Sequence, residues 1–168
     1  VRIEKIPGKL SDHFDPRANV VRLSAAVYDG TSVASCGVAA HEVGHAIQYA
    51  QDYTPMKIRG AIIPVTQFGS MAWIPLFLLG MFLSMPALTY FGIILFSLTA
   101  VFQLVTLPVE FNASNRALAT LKNENYLTLE ELKGSQKVLS AAALTYVAAL
   151  LMSLLQLLRL ILISGRRN

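Results

Sequence analysis

The sequence predicts a mainly α, integral membrane helical protein with a small N-terminal β element. Three observations carry this. Of the 168 residues, 54% are hydrophobic and only 14% are charged, where a soluble domain carries about 25% charged residues. Three apolar stretches are each long enough, at roughly 1.5 Å per helical residue, to cross a hydrocarbon core of about 30 Å. Ahead of them, the first two dozen residues are polar and alternating, the pattern of short strands. One overall domain is expected in four segments: 1–60 with the β element and a first helix, 61–108 with a transmembrane hairpin, 109–138 with a helix carrying a candidate ligand and a polar segment, and 139–168 with a C-terminal transmembrane helix.

Taken in order, VRIEKI and KLSDHF alternate apolar and polar residues, DPRAN is a turn cluster, and VVRLS is a β-rich run. They predict two or three strands with a hairpin around 15–19. Asp12 and Asp15 serve the turn. VVRLS could offer a sheet edge to an extended peptide. Thr31 or Ser32 can cap a helix over 33–51, whose Ala and Gly content lets neighbours approach closely. The apolar stretches run over 61–83, 86–107 and 139–163. Pro64, Gln67 and Pro75 interrupt the first, and Arg159 can snorkel from the third. Trp73, Phe77, Phe91 and Phe96 face lipid or pack between helices. Only Ser84 and Met85 separate the first two spans, so the chain returns at Pro108 to the side it left. In the polar segment, Thr128 and Glu131 have the spacing of a capping box.

The chemistry centres on HEVGH, residues 41–45. On a helix His41 and His45 share one face, and two neutral imidazoles so spaced can bind Zn²⁺. Glu42 is rotated off the metal axis, where it can act as general base on a metal-bound water. Gly44 keeps the helix surface low between the histidines. The stretch thus has the form of a zincin-like HExxH helix. A catalytic zinc needs a third protein ligand. The metzincin positions for a glycine and a third histidine hold Gln48 and Gln51, which excludes that class. Asp52 is off the spacing, and Glu124, Glu130 and Glu131 lie in strongly polar sequence. Glu110 emerges directly after the second span, on the side of His41 and His45, as a ligand or as an ordinary interfacial carboxylate. His13 could assist the transition state or bind substrate, or be a surface strand histidine. Cys36 lies about 140° around the helix from His41, as a small buried residue. As the sole cysteine, it excludes an intrachain disulfide.

HEVGHAIQ, two apolar spans and LPVEFNASNRA, with DHFDPRANVVRLS upstream and VLSAAALTYVAALL downstream, resemble the YugP-like neutral zinc metallopeptidases of bacterial membranes. The likeness covers nearly the whole chain. Members usually carry a further N-terminal apolar segment, so the resemblance implies a longer parent chain. The architecture also looks like the HtpX-type membrane proteases, whose second motif resembles E-[FY]-x-A-D. Glu110, Phe111 and Ala113 match its first, second and fourth positions. The resemblance makes Glu110 the third ligand of a Zn²⁺ held by His41 and His45, with Glu42 as catalytic base. Ser114 stands where that pattern has Asp, one turn beyond Glu110, suited to a hydrogen bond on a ligand. Arg116 could stabilise the oxyanion, or contact an acid or a lipid phosphate.

The expected function is a membrane-bound zinc endopeptidase acting on protein or peptide substrates. Its alternatives are a non-catalytic zinc-binding scaffold or chaperone, and an intramembrane-cleaving protease; the latter's LDG-type aspartate motif is missing here. The expected partners are substrate and lipid bilayer. The net charge of +4 is not clustered as a nucleic-acid footprint would be, so nucleic acid is not among them. The expected location is a bacterial cell membrane, multi-pass. Lys57, Arg59, Lys122, Lys133 and Lys137 favour a cytoplasmic catalytic face, while Arg166 and Arg167 pull the other way.

Overall fold

The computed structural model describes residues 1–165. Arg166 and Arg167, which bear on orientation, lie outside them. The chain is mainly helical with a small N-terminal sheet. Strands β1 (Arg2–Ile6), β2 (His13–Asp15) and β3 (Val20–Ser24) precede α1 (Ala25–Tyr28), α2 (Val33–Ala50), α3 (Thr54–Phe82), α4 (Pro86–Asn123) and α5 (Leu129–Gly165). Helices α3, α4 and α5 are each long and apolar enough to cross a membrane.

Sheet order is β1-β3-β2, with β1 parallel and β2 antiparallel to β3. The hairpin turns where Asp15 accepts hydrogen bonds from the N–H groups of Arg17 (2.9 Å) and Ala18 (3.3 Å). Asn19 takes a positive φ of 51° there, which asparagine tolerates. Asp12 serves something other than the turn: it accepts from the Ser24 N–H at 2.7 Å. The sheet-edge expectation for VVRLS is corrected, because β3 is the central strand with both neighbours paired. A three-strand sheet buries its middle strand first, and β3 is the most apolar of the three.

Three helix ends share one device. Asp52, Ser84 and Asn125 adopt positive φ, and the next residue's N–H bonds back to a carbonyl five residues earlier: Tyr53 to Gln48 (3.0 Å), Met85 to Gly80 (2.8 Å) and Tyr126 to Leu121 (3.1 Å). This left-handed cap satisfies carbonyls that the helix leaves open. Helix α4 differs from expectation. It runs unbroken for 38 residues through Pro108, so the second apolar stretch and the Glu110 segment form one helix. An internal proline removes one helical hydrogen bond but need not end a helix whose packing continues past it. Helix α3 likewise carries Pro64 and Pro75 internally and starts earlier than expected, with Pro55 in its first turn.

The chain divides into two compact units. The first joins Val1–Lys57 with Pro108–Leu144. Its core is Phe14, Val21, Leu23 and Ala46, with Val27, Ala39, Val43 and Met56 packed against it. One face of the sheet thus seats α2. The other carries a charged row in which Arg22 bonds Asp15 (2.5 Å) and Glu4 (3.4 Å). The second unit holds Ile58–Leu107 and the described residues from Thr145 onward. Phe77, Ile93, Phe96 and Leu160 form its core with Trp73, Met81, Leu157 and Ile163. Trp73 meets Phe96 edge-on at 4.8 Å between ring centres.

Candidate functional site

The site belongs wholly to the first unit. Helix α2 starts where expected: Ser32 Oγ accepts the Ser35 N–H at 3.1 Å. One side of α2 packs on the sheet through Ala39, Val43 and Ala46. Gly44 marks the crossing with α4: a Cβ there would lie 2.5 Å from the Ala113 carbonyl oxygen, so only glycine permits the approach. On α4, Val109, Ala113, Ala117 and Leu121 repeat every four residues and are buried. Glu110 and Ser114 flank this stripe on one side, Asn112 and Arg116 on the other.

That geometry brings His41, His45 and Glu110 together. Each offers one ligand atom, and these atoms lie within 4.8 Å of one another, a group that could hold a metal ion. His41 Nε2 is 3.2 Å and His45 Nε2 is 3.7 Å from Glu110 Oε2. The imidazoles stand edge to face, 4.7 Å between centres. Both Nδ1 atoms are engaged elsewhere. His41 Nδ1 shares a hydrogen bond with Ser114 Oγ at 3.1 Å, and His45 Nδ1 contacts Gln48 Oε1 at 2.9 Å. Two Nε2 atoms and a carboxylate oxygen therefore converge, with each ring held from behind. Two imidazoles and one carboxylate suit zinc and leave a position open for water or substrate.

Glu42 and His45 are both buried. Burial pushes the Glu42 carboxyl above the usual glutamate range, against the opposing charges of His45 and His41. The Phe14 backbone of β2 partly offsets this rise, which places the sheet near the prospective base. For His45, burial favours the neutral ring. The nearby Glu110 carboxylate, with Glu42's charge, outweighs it and raises the pKa.

The other candidates lie differently. His13 is exposed on β2, and its Nδ1 bonds the Ser11 carbonyl at 2.7 Å. It pairs with Arg22 across the sheet, on the face opposite Phe14 and hence away from α2. Arg116 donates from Nε to Asn112 Oδ1 at 2.7 Å and from Nη1 to Gln51 Oε1 at 2.6 Å. Cys36 is half-buried. Gln48, which is fully buried, escaped sequence reasoning: its only signal was its position three residues after His45, one turn along the ligand face.

Comparison with known proteins gives the family of the chain. Residues 1–165 match the family described as "Putative neutral zinc metallopeptidase". A Bacillus subtilis (strain 168) protein named "Putative membrane protease YugP" is 51% identical over 163 residues, covering 97% of this chain and 72% of that protein. No solved structure matches the chain.

Proposed function

The chain belongs to the neutral zinc metallopeptidase family, and we propose that it is a membrane-bound, zinc-dependent endopeptidase that cuts protein or peptide substrates. The observation that carries the reading is the convergence of His41 Nε2, His45 Nε2 and Glu110 beside a buried Glu42. In this reading His41, His45 and Glu110 hold Zn²⁺ on a zincin-like HExxH helix. Bound zinc supplies Lewis acidity that lets water lose a proton near neutral pH.

The remaining steps fall to the chain's own groups. A Glu42 carboxylate oxygen takes the proton of the attacking water and delivers it to the leaving amide nitrogen. Its burial makes it a stronger base than an exposed glutamate. Ser114 and Gln48 hold the two rings so that their Nε2 atoms stay aimed at one point. An extended substrate fits best along β2, an edge strand of the sheet that seats α2; β3 has no free edge to offer. A bacterial cell membrane is the proposed location, with a cytoplasmic catalytic face supported by the basic residues around α3, α4 and the start of α5.

The test is metal content set beside turnover in the purified, lipid-embedded chain. Glu42→Gln should bind zinc as the parent does while peptide cleavage falls about 10²–10⁴-fold. Glu110→Ala should lose zinc together with cleavage. Cleavage that survives Glu42→Gln would sink the mechanism. Zinc binding by a parent chain that cleaves nothing would favour a scaffold.

A further inference from the structure

Gln48 is fully buried, yet all its amide atoms are used. Nε2 lies 2.7 Å from the Val109 carbonyl and 3.0 Å from Asn112 Oδ1. Both of those are acceptors, so both amide hydrogens are spent on them. Oε1, which can only accept, faces His45 Nδ1 at 2.9 Å. The Nδ1 atom must then carry the proton, and the Nε2 lone pair is left for a metal.

The Val109 carbonyl, which can only accept, fixes the sense of that amide, and the second acceptor, Asn112 Oδ1, is itself held from further out. Asn112 Oδ1 also receives Arg116 Nε at 2.7 Å. A guanidinium has donors and no acceptor. It therefore forces the Asn112 oxygen, and not the Asn112 nitrogen, to face inward. Arg116 is itself anchored by Gln51 Oε1 at 2.6 Å and by the Tyr53 ring at 5.9 Å. We propose that Arg116, Asn112 and Gln48 form a polarity relay that, together with the Val109 carbonyl, sets the tautomer and orientation of His45, with Arg116 a positioning residue that acts through the relay. The inference rests on the zinc reading of the site. It uses residues from the end of α2 and from α4 that have no contact with the reacting atoms, and it gives Arg116 a role distinct from oxyanion binding.

Substitutions chosen for donor and acceptor character test it in the zinc-loaded, lipid-embedded chain. Zinc affinity is read by competition with a chelator, and the His45 Nδ1–H by spectroscopy on isotope-labelled histidine. In the parent that proton should be present and slow to exchange with water. Gln48→Leu should lose the slow proton and weaken zinc binding about 10–100-fold. Asn112→Leu and Arg116→Met should weaken it by smaller factors. Asn112→Asp, which still accepts from both neighbours, should bind zinc as the parent does. The relay is overturned if Gln48→Leu binds zinc like the parent, or if the parent lacks the slow Nδ1–H. It is equally overturned if Asn112→Asp falls as far as Asn112→Leu. Should a variant misfold, the parent's Nδ1–H decides alone. A parent that binds no zinc overturns the site reading as well, which separates the two failures.

Discussion

Two helix crossings, one in each unit, rest on the same trick and reach different ends. In the first unit a glycine, Gly44, lets α2 meet the backbone of α4 at Ala113. In the second, Gly92 lets α4 meet α3 at Phe77, where an added Cβ would sit 2.8 Å from the Phe77 nitrogen. Around Gly44 the close approach brings polar side chains of the two helices within hydrogen-bonding reach: His41 to Ser114, and Gln48 to Asn112. Around Gly92 it brings aromatic and aliphatic groups into a dry core. Backbone proximity is thus a resource without a chemistry of its own. The neighbouring residues decide whether it yields a site or a packing contact.

Substitutions can break the comparison in order of effect. Gly44→Ala should be the most costly. The added methyl meets a carbonyl that cannot yield, so both stability, by about 1–3 kcal/mol, and zinc affinity should drop. A melt and a chelator competition on the same sample check it. Gly92→Ala should destabilise by a similar or smaller amount and leave zinc affinity unchanged; a matching loss of affinity would show that the crossings are coupled. Smaller is Ser135→Ala, which removes the hydrogen bond from Ser135 Oγ to the Val33 carbonyl at 3.0 Å. The cost should be about 1 kcal/mol, seen as a lowered melting temperature.

The smallest effect concerns acid. Glu131 accepts the Thr128 N–H at 2.9 Å and the Thr128 hydroxyl at 2.8 Å, and these bonds hold its carboxyl below the usual glutamate range. Ionised Glu131 therefore supports α5 at any pH above the unfolded carboxyl's pKa. That support fades as pH falls through the lowered folded value. Hydrogen exchange, corrected for intrinsic rates, should show the first turn of α5 losing protection only in that acid window.

What the sequence made legible was local. Ser32 before an apolar helix, Asp15 before a turn, and the Thr128–Glu131 pair each act within four residues, and each is seen in the structure at that place. Span length depends only on composition, and it predicted three long apolar helices. Glu110 needed more, because only the return of the chain after a two-span hairpin makes it a neighbour of His41. The parallel pairing of β1 with β3 joins strands some 18 residues apart and leaves no local mark. Pro108 misled, since a proline next to polar sequence resembles a boundary while the helix runs through it. Gln48 was passed over for a different reason. An uncharged amide in a helix has no signature until its partners on another helix are known.

The distance along the chain between the site's residues also sets a clock. Glu110 follows His41 by 69 residues. At a synthesis rate of about 5–20 residues per second, the histidine pair, complete at His45, exists for roughly 3–13 s before the carboxylate is made. During that interval two strongly apolar stretches must be threaded and placed. A nascent chain therefore passes through this period without the complete His41, His45 and Glu110 group. Completion of the group waits on the two apolar stretches being made.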